Sequence, residues 1–374
     1  MPSLNPLHEP LLLTPEYRDY LWGGNRLKPG FSPIAEAWVL DERDRVASGP
    51  LTGRTLAEVT AEHGAALLGQ KVIERTGLSF PLLIKLLDSA AWLSLQVHPN
   101  NEQATRLEGP GVFGKTEAWH VLDAAPGAKL IAGLRPGTTN EMLSRSIKNG
   151  TILEIARQFQ VQKGDTLFIR PGTIHALGPG LLIYEVQQAS NVTYRVFDWN
   201  RPQTGGRVLH IEKSLAVADV SADVRVKPAA EFEGRDRTVL CACPYFTLEM
   251  INARTGEIDL DTNGESFHSL MVIEGCCSII TSGSEATLVP LHSALIPAAC
   301  GTYQLKPLEG RFRVLKASVE GWTPACAAAL PAEAATQAGG RQGGDEVRLP
   351  YHATSALTLT LKNIILRQAK TNKK

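Results

Sequence analysis

Residues 163–177 read KGDTLFIRPGTIHAL. Lys163-Gly164-Asp165 is turn chemistry, the next residues run as a strand, Pro171-Gly172 turns the chain again, and His175 opens another strand. The same pattern recurs on both sides. LLIKLLDS (82–89), WLSLQVH (92–98), EAWHVLDA (117–124), AKLIAGL (128–134), DTLFIR (165–170) and LLIYEVQQ (181–188) are short apolar or alternating runs. Pro99-Asn100-Asn101, Pro126-Gly127, Pro136-Gly137 and Gly178-Pro179-Gly180 separate them. Many short strands with regular turns predict a mainly β barrel or sandwich rather than alternating βα units.

Helical signals are fewer. Thr55–Leu68 reads as a helix capped by Thr55, with Leu56, Val59, Leu67 and Leu68 apolar. Asn140–Lys148 and Leu153–Gln158, interrupted at Asn149-Gly150, predict a small helical insert. A second β block from about 238 to 318 is also barrel-like and is expected to lack the polar centre of the first, as after an internal duplication. The expected division is a first domain over 1–201, a polar linker over 202–237, a second domain over 238–321 and a tail over 322–374. The tail is Gly/Ala-rich, and its LTLTLKNIIL could form a strand or a helix; it suggests no role.

The length of 374 residues suits two domains. Lys+Arg and Asp+Glu both number 38, so no basic excess favours a nucleic-acid backbone. No apolar run approaches the ~18 residues of a membrane-spanning helix, and MPSLNPLHEPLLLTPEYRDYLWGG lacks the basic start of a secretory signal. A cytoplasmic protein is expected. Cysteines at 241, 243, 276, 277, 300 and 326 have no CxxC spacing and read as buried thiols rather than a disulfide framework.

Gln96 and His98 in LSLQVH leave one face of a strand, and Leu95 and Val97 leave the other. Two polar groups on an inward face need a partner, either a metal or a hydrogen bond between them. Lys115 and Glu117 in GKTEAWHVLDA again share a face. They form a surface ion pair, or Glu117 is a buried carboxylate that wants a cation. His175, opening a strand after the Pro171-Gly172 turn, is a further candidate, or a satisfied core residue. Gln96, His98, Glu117 and His175 together suit Zn²⁺, Fe²⁺ or Mn²⁺, with zinc preferred for such N/O donors, and leave the site near +1. His120 is aimed opposite to Glu117 by strand alternation and reads as packing. Arg195 in TYRVFDW offers a planar fork for phosphate or a developing oxyanion, and Lys85 is a charge inside an apolar run. Ion pairs with Asp198 or Glu185 are the alternative for both.

Residues 163–177 are close to the second metal motif of cupins. PLLIKLLDS…LSLQVHPNNEQA, GKTEAWHVLDA and GDTLFIRPGTIHALG…IYEVQQASNVTYRVFDWNR, with YRDYLWGGNRL and IAEAW (34–38), resemble class I mannose-6-phosphate isomerases of the shorter bacterial type. The resemblance runs from about residue 10 to 320 and is strongest over 80–201. It implies tandem cupin (jelly-roll) domains, the first holding one zinc or another divalent ion and the second none. It implies a zinc-dependent isomerase acting on mannose 6-phosphate and fructose 6-phosphate through a cis-enediol, with a phosphorylated hexose as partner and neither nucleic acid nor membrane. By motif, Gln96, His98, Glu117 and His175 match the zinc ligands and Arg195 the catalytic arginine. Ser94, Lys85 and Lys115 match positions lining the phosphosugar pocket. Lys115 and Glu185 are the candidates for proton transfer, and Ser94 and Lys85 the expected partners of the phosphate. The family often has Asp before TYR, in a form like SDTTYR; Ser190-Asn191-Val192 stands here, and Asn191 cannot act as an acid or base in ring opening. A non-catalytic metal- and phosphosugar-binding cupin with a regulatory role is the alternative, but retention of Lys115, Glu117 and Arg195 speaks against it. A metal-dependent oxygenase is disfavoured because only two His join the cluster.

Overall fold

A computed structural model describes residues 5–31, 33–203, 207–232, 236–253 and 256–319. The readings of the tail over 322–374 therefore lie outside the described residues. The chain begins with β1 (Leu11–Thr14), β2 (Glu16–Arg18), β3 (Glu36–Leu40) and β4 (Arg45–Val46), followed by α1 (Leu56–His63), α2 (Ala65–Leu68) and α3 (Gln70–Thr76). Next come β5 (Leu82–Ser89), β6 (Leu95–Val97), α4 (Asn101–Glu108), β7 (Glu117–Ala124) and β8 (Lys129–Leu134). The helices α5 (Asn140–Lys148) and α6 (Ile152–Ile155) precede β9 (Ala156–Gln160), β10 (Thr166–Ile169), β11 (His175–Leu177), β12 (Leu181–Gln188) and β13 (Tyr194–Phe197). After α7 (Ile211–Val217) and β14 (Val226–Lys227), the described residues continue with β15 (Arg237–Ala242), β16 (Thr247–Ala253), β17 (Ile258–Asp261), β18 (His268–Glu274) and β19 (Cys277–Ile280). The last strands are β20 (Glu285–Leu288), β21 (Ser293–Ile296), β22 (Thr302–Pro307) and β23 (Phe312–Ser318).

These strands build two antiparallel sandwiches. In the first, the sheet β14-β10-β7-β12-β5-β3-β2 faces the sheet β13-β6-β11-β8-β9. Trp119, Val121, Leu167 and Ile183 of the one pack on Leu130, Ala132 and Leu177 of the other. In the second, β15-β16-β23-β18-β21-β1-β4 faces β17-β22-β19-β20, with Ile251, Leu270 and Val314 against Ile279 and Leu305. The central strands β5 and β12 are buried along their whole length, so they show no polar–apolar alternation, and the charges they carry, Lys85 and Glu185, are buried with them.

The two sandwiches share their pairing. The strand β7 pairs with β10 and β12, β8 with β9 and β11, β5 with β12, and β6 with β11. In the second, β18 pairs with β21 and β23, β19 with β20 and β22, β16 with β23, and β17 with β22. The expected absence of a polar centre in the second block is corrected: Glu249, His268 and Lys316 are buried there, on the faces of their strands that carry the core.

Four further expectations change. The residues 55–68 form two helices rather than one, because Gly64 has φ 47° and ends α1, where no side chain would continue comfortably. The predicted helix over 153–158 stops at Ile155; from Ala156 the chain pairs with β8, Phe159 opposite Leu130, and that edge position outweighs local helix preference. The polar stretch 202–237 is no bare linker, since α7 lies in it and buries Val217 beside Tyr194 and Val196. Last, β1 and β4 extend the second sandwich, Leu11 lying opposite Leu295, although the sequence division puts them in the first domain. Five cysteines, at 241, 243, 276, 277 and 300, are free thiols. Among the described residues no helix is long and apolar enough to cross a membrane.

Candidate metal centre and active site

Three strands of the first sandwich aim their donors at one point. His175 opens β11 directly opposite Gln96 of β6, and Glu117 opens β7 opposite Ile169. His98 follows β6, and its exit is fixed twice: its carbonyl accepts from the Gly172 N–H (2.8 Å), and Asn100 caps α4 reciprocally with Gln103 (2.8 and 2.9 Å). The ligand atoms of His98, Glu117 and His175 lie within 4.8 Å of one another, all three residues buried. Nε2 of His175 is 3.2 Å from Glu117 Oε1, and Nε2 of His98 is 3.7 Å from Oε2. The amide of Gln96 reaches the same place, 3.2 Å from His175 Nε2, and carries an oxygen as well as a nitrogen.

The donor set fits a divalent ion. Each imidazole spends Nδ1–H on a backbone carbonyl, His98 on Val192 (2.8 Å) and His175 on Thr173 (2.9 Å), so both present the Nε2 lone pair inward. Burial, with Lys115 and His175 nearby, holds His98 well below the ordinary histidine range. Burial lowers His175 to about 4, so both rings are neutral and able to ligate near neutral pH. Nε2 of His98 and Oε1 of Glu117 are buried with no hydrogen-bond partner, a cost that a cation between them removes.

Beside this point lies a buried ion cluster. Lys115 Nζ is 2.9 Å from Glu117 Oε2 and 3.9 Å from Glu185 Oε1. Lys85 Nζ is 3.6 Å from both Glu185 Oε1 and Glu36 Oε2, and 5.0 Å from the Trp38 ring centre. Two indoles orient the acids: Trp119 Nε1 donates to Glu185 (2.9 Å) and Trp38 Nε1 to Glu36 (2.7 Å). Burial pushes the Glu117 carboxyl up against the opposing pull of Lys115. Burial would push Glu185 up too, but Lys115 and Lys85 outweigh it and hold this acid below its ordinary value. Two ammonium groups facing three carboxylates leave −1, which a divalent ion turns to +1, the sign that stabilises an anionic intermediate.

Glu36 was not among the sequence candidates. Its signal was available: it is an acid in β3, a strand buried at every position. Arg195, half-buried on β13, lies opposite Gln96 and so on the face of the metal donors. Ser94 is buried immediately before β6, one alternation from Gln96. Asn191 is exposed on the loop whose Val192 carbonyl holds His98. Asp198 binds Arg207 (2.6 and 2.8 Å) and Arg201 (3.2 Å). His120 points away from the centre, its Nδ1 2.9 Å from the Thr166 hydroxyl, and burial lowers it to about 3.

Two imidazoles and a carboxylate around one point, with lysine–glutamate pairs alongside, define a metal-binding β-sandwich equipped to move protons. A profile of the phosphomannose isomerase type I catalytic domain matches residues 11–112. The mannose-6-phosphate isomerase of Streptococcus mutans is 37% identical over 253 residues, covering 64% of this chain and 78% of that protein. The mannose-6-phosphate isomerase ManA of Bacillus subtilis is 33% identical over 311 residues, covering 80% of this chain and 96% of that protein. A crystal structure of the Bacillus subtilis mannose 6-phosphate isomerase superposes with a TM-score of 0.72 at 28% identity, covering 82% of this chain and 99% of that one. The chain belongs to the class I mannose-6-phosphate isomerase family, a family of aldose–ketose isomerases, as its sequence motifs suggested.

Proposed function

We propose that this chain interconverts mannose 6-phosphate and fructose 6-phosphate through a cis-enediol, with zinc held by Gln96, His98, Glu117 and His175. The observation that carries the proposal is the convergence of His98, Glu117 and His175 beside the Lys115–Glu185 pair. When bound, the ion would polarise the carbonyl and neighbouring hydroxyl of the open-chain sugar and acidify the proton on the carbon that bears the hydroxyl. Glu185, held ionised by two ammonium groups, takes that proton from C2 and returns it to C1, while the Lys115 ammonium gives a proton to O1 and recovers one from the O2 hydroxyl, so that both protons of the exchange are accounted for. Arg195 steadies the oxygen that turns negative.

The expected phosphate contact at Lys85 sits poorly with its surroundings, because Glu36 and Glu185 already flank the ammonium and a phosphate dianion would face both. We therefore assign Lys85 to the proton-bearing cluster and keep Ser94 for the phosphate end. Residues 1–201 then form the catalytic cupin, with β1 and β4 lent to the second sandwich. Residues 238–321 form a cupin without a metal site, 202–237 connect the two, and 322–374 have no assigned role. Unpaired thiols suit a cytoplasmic enzyme.

The test is turnover of mannose 6-phosphate before and after chelation, then with zinc returned. His98→Ala should lose both metal and activity, and Arg195→Ala should keep metal and lose turnover. Tight sugar-phosphate binding without turnover would make the protein a binding module instead.

A further inference from the structure

We propose that His210 is a positioning residue that holds the backbone of Arg195 in place for the reaction. This rests on the isomerase reading above. Among the described residues the strand β13 is the outermost of its sheet: β6 occupies one side, and no described strand occupies the other. On that open side His210 supplies both missing partners of a single residue. Its backbone N–H donates to the Arg195 carbonyl (2.9 Å), and its ring Nδ1 accepts from the Arg195 N–H (3.2 Å). One residue thus stands in for a neighbouring strand at the position that carries the guanidinium. His210 is itself anchored, because its carbonyl accepts the first bond of α7 from Ser214 N–H (2.8 Å) and α7 packs under Tyr194 and Val196.

The acceptor bond exists only while Nδ1 is unprotonated. The groups facing the ring are Arg195 and Tyr194 from β13, Lys213 from α7, and Glu108 at the end of α4. Glu108 is already bound by Tyr194 Oη (2.6 Å) and Lys213 Nζ (2.7 Å), so its charge is largely spoken for. Burial, then Arg195 and Lys213, hold the His210 ring below the ordinary histidine range. Protonation at low pH would put an N–H against the Arg195 N–H and release the strand edge. A misplacement of about 1 Å in a catalytic group costs on the order of 100-fold, so partial release should cost about 10-fold or more.

The experiment compares the zinc-loaded wild type with His210→Ala and His210→Asn, whose Oδ1 can take the place of Nδ1 but does not titrate. His210→Ala should lower kcat at least about 10-fold with KM within about threefold and metal content unchanged, and His210→Asn should recover to within about threefold of wild type. The Asn variant should also hold its activity to lower pH than wild type. The inference is overturned if wild type turns over and His210→Ala matches it, if its loss lies in KM alone, or if His210→Asn falls as far as His210→Ala. Should His210→Ala fail to fold, the Asn variant decides alone: a pH profile identical to wild type overturns the assignment. Absence of turnover in the zinc-loaded wild type instead defeats the isomerase reading.

Discussion

Lys85→Met is the most informative single change in the ion cluster. The ammonium lies 3.6 Å from each of Glu36 and Glu185, and at an effective dielectric of 20 each contact is worth about 5 kcal/mol of attraction. Much of this is offset by the water that the buried ammonium gives up, so the useful figure is that for breaking a buried pair, about 3–5 kcal/mol. Glu185 keeps Lys115 and the Trp119 N–H, and Glu36 keeps the Trp38 N–H. The lower end, about 3 kcal/mol at pH 7.5, is expected. The pH dependence has a definite sign. Without Lys85 the Glu185 carboxyl keeps the burial that pushes it up and loses one of the two ammonium groups that pull it down, so the variant's deficit grows as pH rises and shrinks in acid. Urea unfolding followed by circular dichroism checks this, with chelator present throughout so that bound metal adds nothing. Adding Glu36→Gln should return at least about 1 kcal/mol, since the orphaned charge goes with it. In turnover, kcat should fall far more than KM rises, the reverse of a phosphate anchor. A loss under about 1 kcal/mol, or one that does not change with pH, would refute the reasoning.

Trp119→Phe removes the N–H that favours ionised Glu185; the acid limb of the kcat profile should move up in pH, with a stability loss of about 1–2 kcal/mol in urea unfolding. Glu185 sits below its unfolded value, so its contribution to stability is present above pH ~4.5 and is lost as pH falls through its lower folded value; an acid titration of the chelated protein should show this loss in wild type and a smaller one in Glu185→Gln. Lys316→Met should destabilise by about 3 kcal/mol, because Glu249 loses a buried partner at 2.8 Å, whereas Lys316→Met with Glu249→Leu should come back to within about 1 kcal/mol. Thr55→Ala opens the reciprocal cap with Glu58 and should cost about 1 kcal/mol by thermal unfolding without altering turnover.

The fold was legible where local chemistry and tertiary position agree. Pro171-Gly172 and Gly178-Pro179-Gly180 mark real turns around β11, and β5 and β12, largely apolar runs interrupted by Lys85 and Glu185, belong to central strands. Legibility failed where a distant partner decides. Ala156–Gln160 becomes a strand because β8 offers an edge, and Leu11–Thr14 enters the second sandwich through β21, a partner some 280 residues further on. The site follows the same rule. Strand alternation put Gln96 with His98, and Lys115 with Glu117, on shared faces, whereas His175 was placed by the cupin-like turn before it. Glu36 gave only the signal of an acid among buried neighbours, because its partner Lys85 is far along the chain. His210 gave no signal at all, since its role comes from a loop returning to a strand edge.

The matched pairing of the two sandwiches carries one more consequence. Lys85 on β5 lies opposite Glu185 on β12; in the corresponding strands Glu249 on β16 lies opposite Lys316 on β23, with the signs exchanged. Glu117 at the head of β7 corresponds to His268 at the head of β18. One interior borrows its balancing cation from solution, and the other has it tethered to the polypeptide, where no chelator can reach it. Under metal starvation the two halves should therefore part company: the borrowing half loosens as the free ion falls, while the self-supplied half keeps its shape and holds the N-terminal strands ready for reloading.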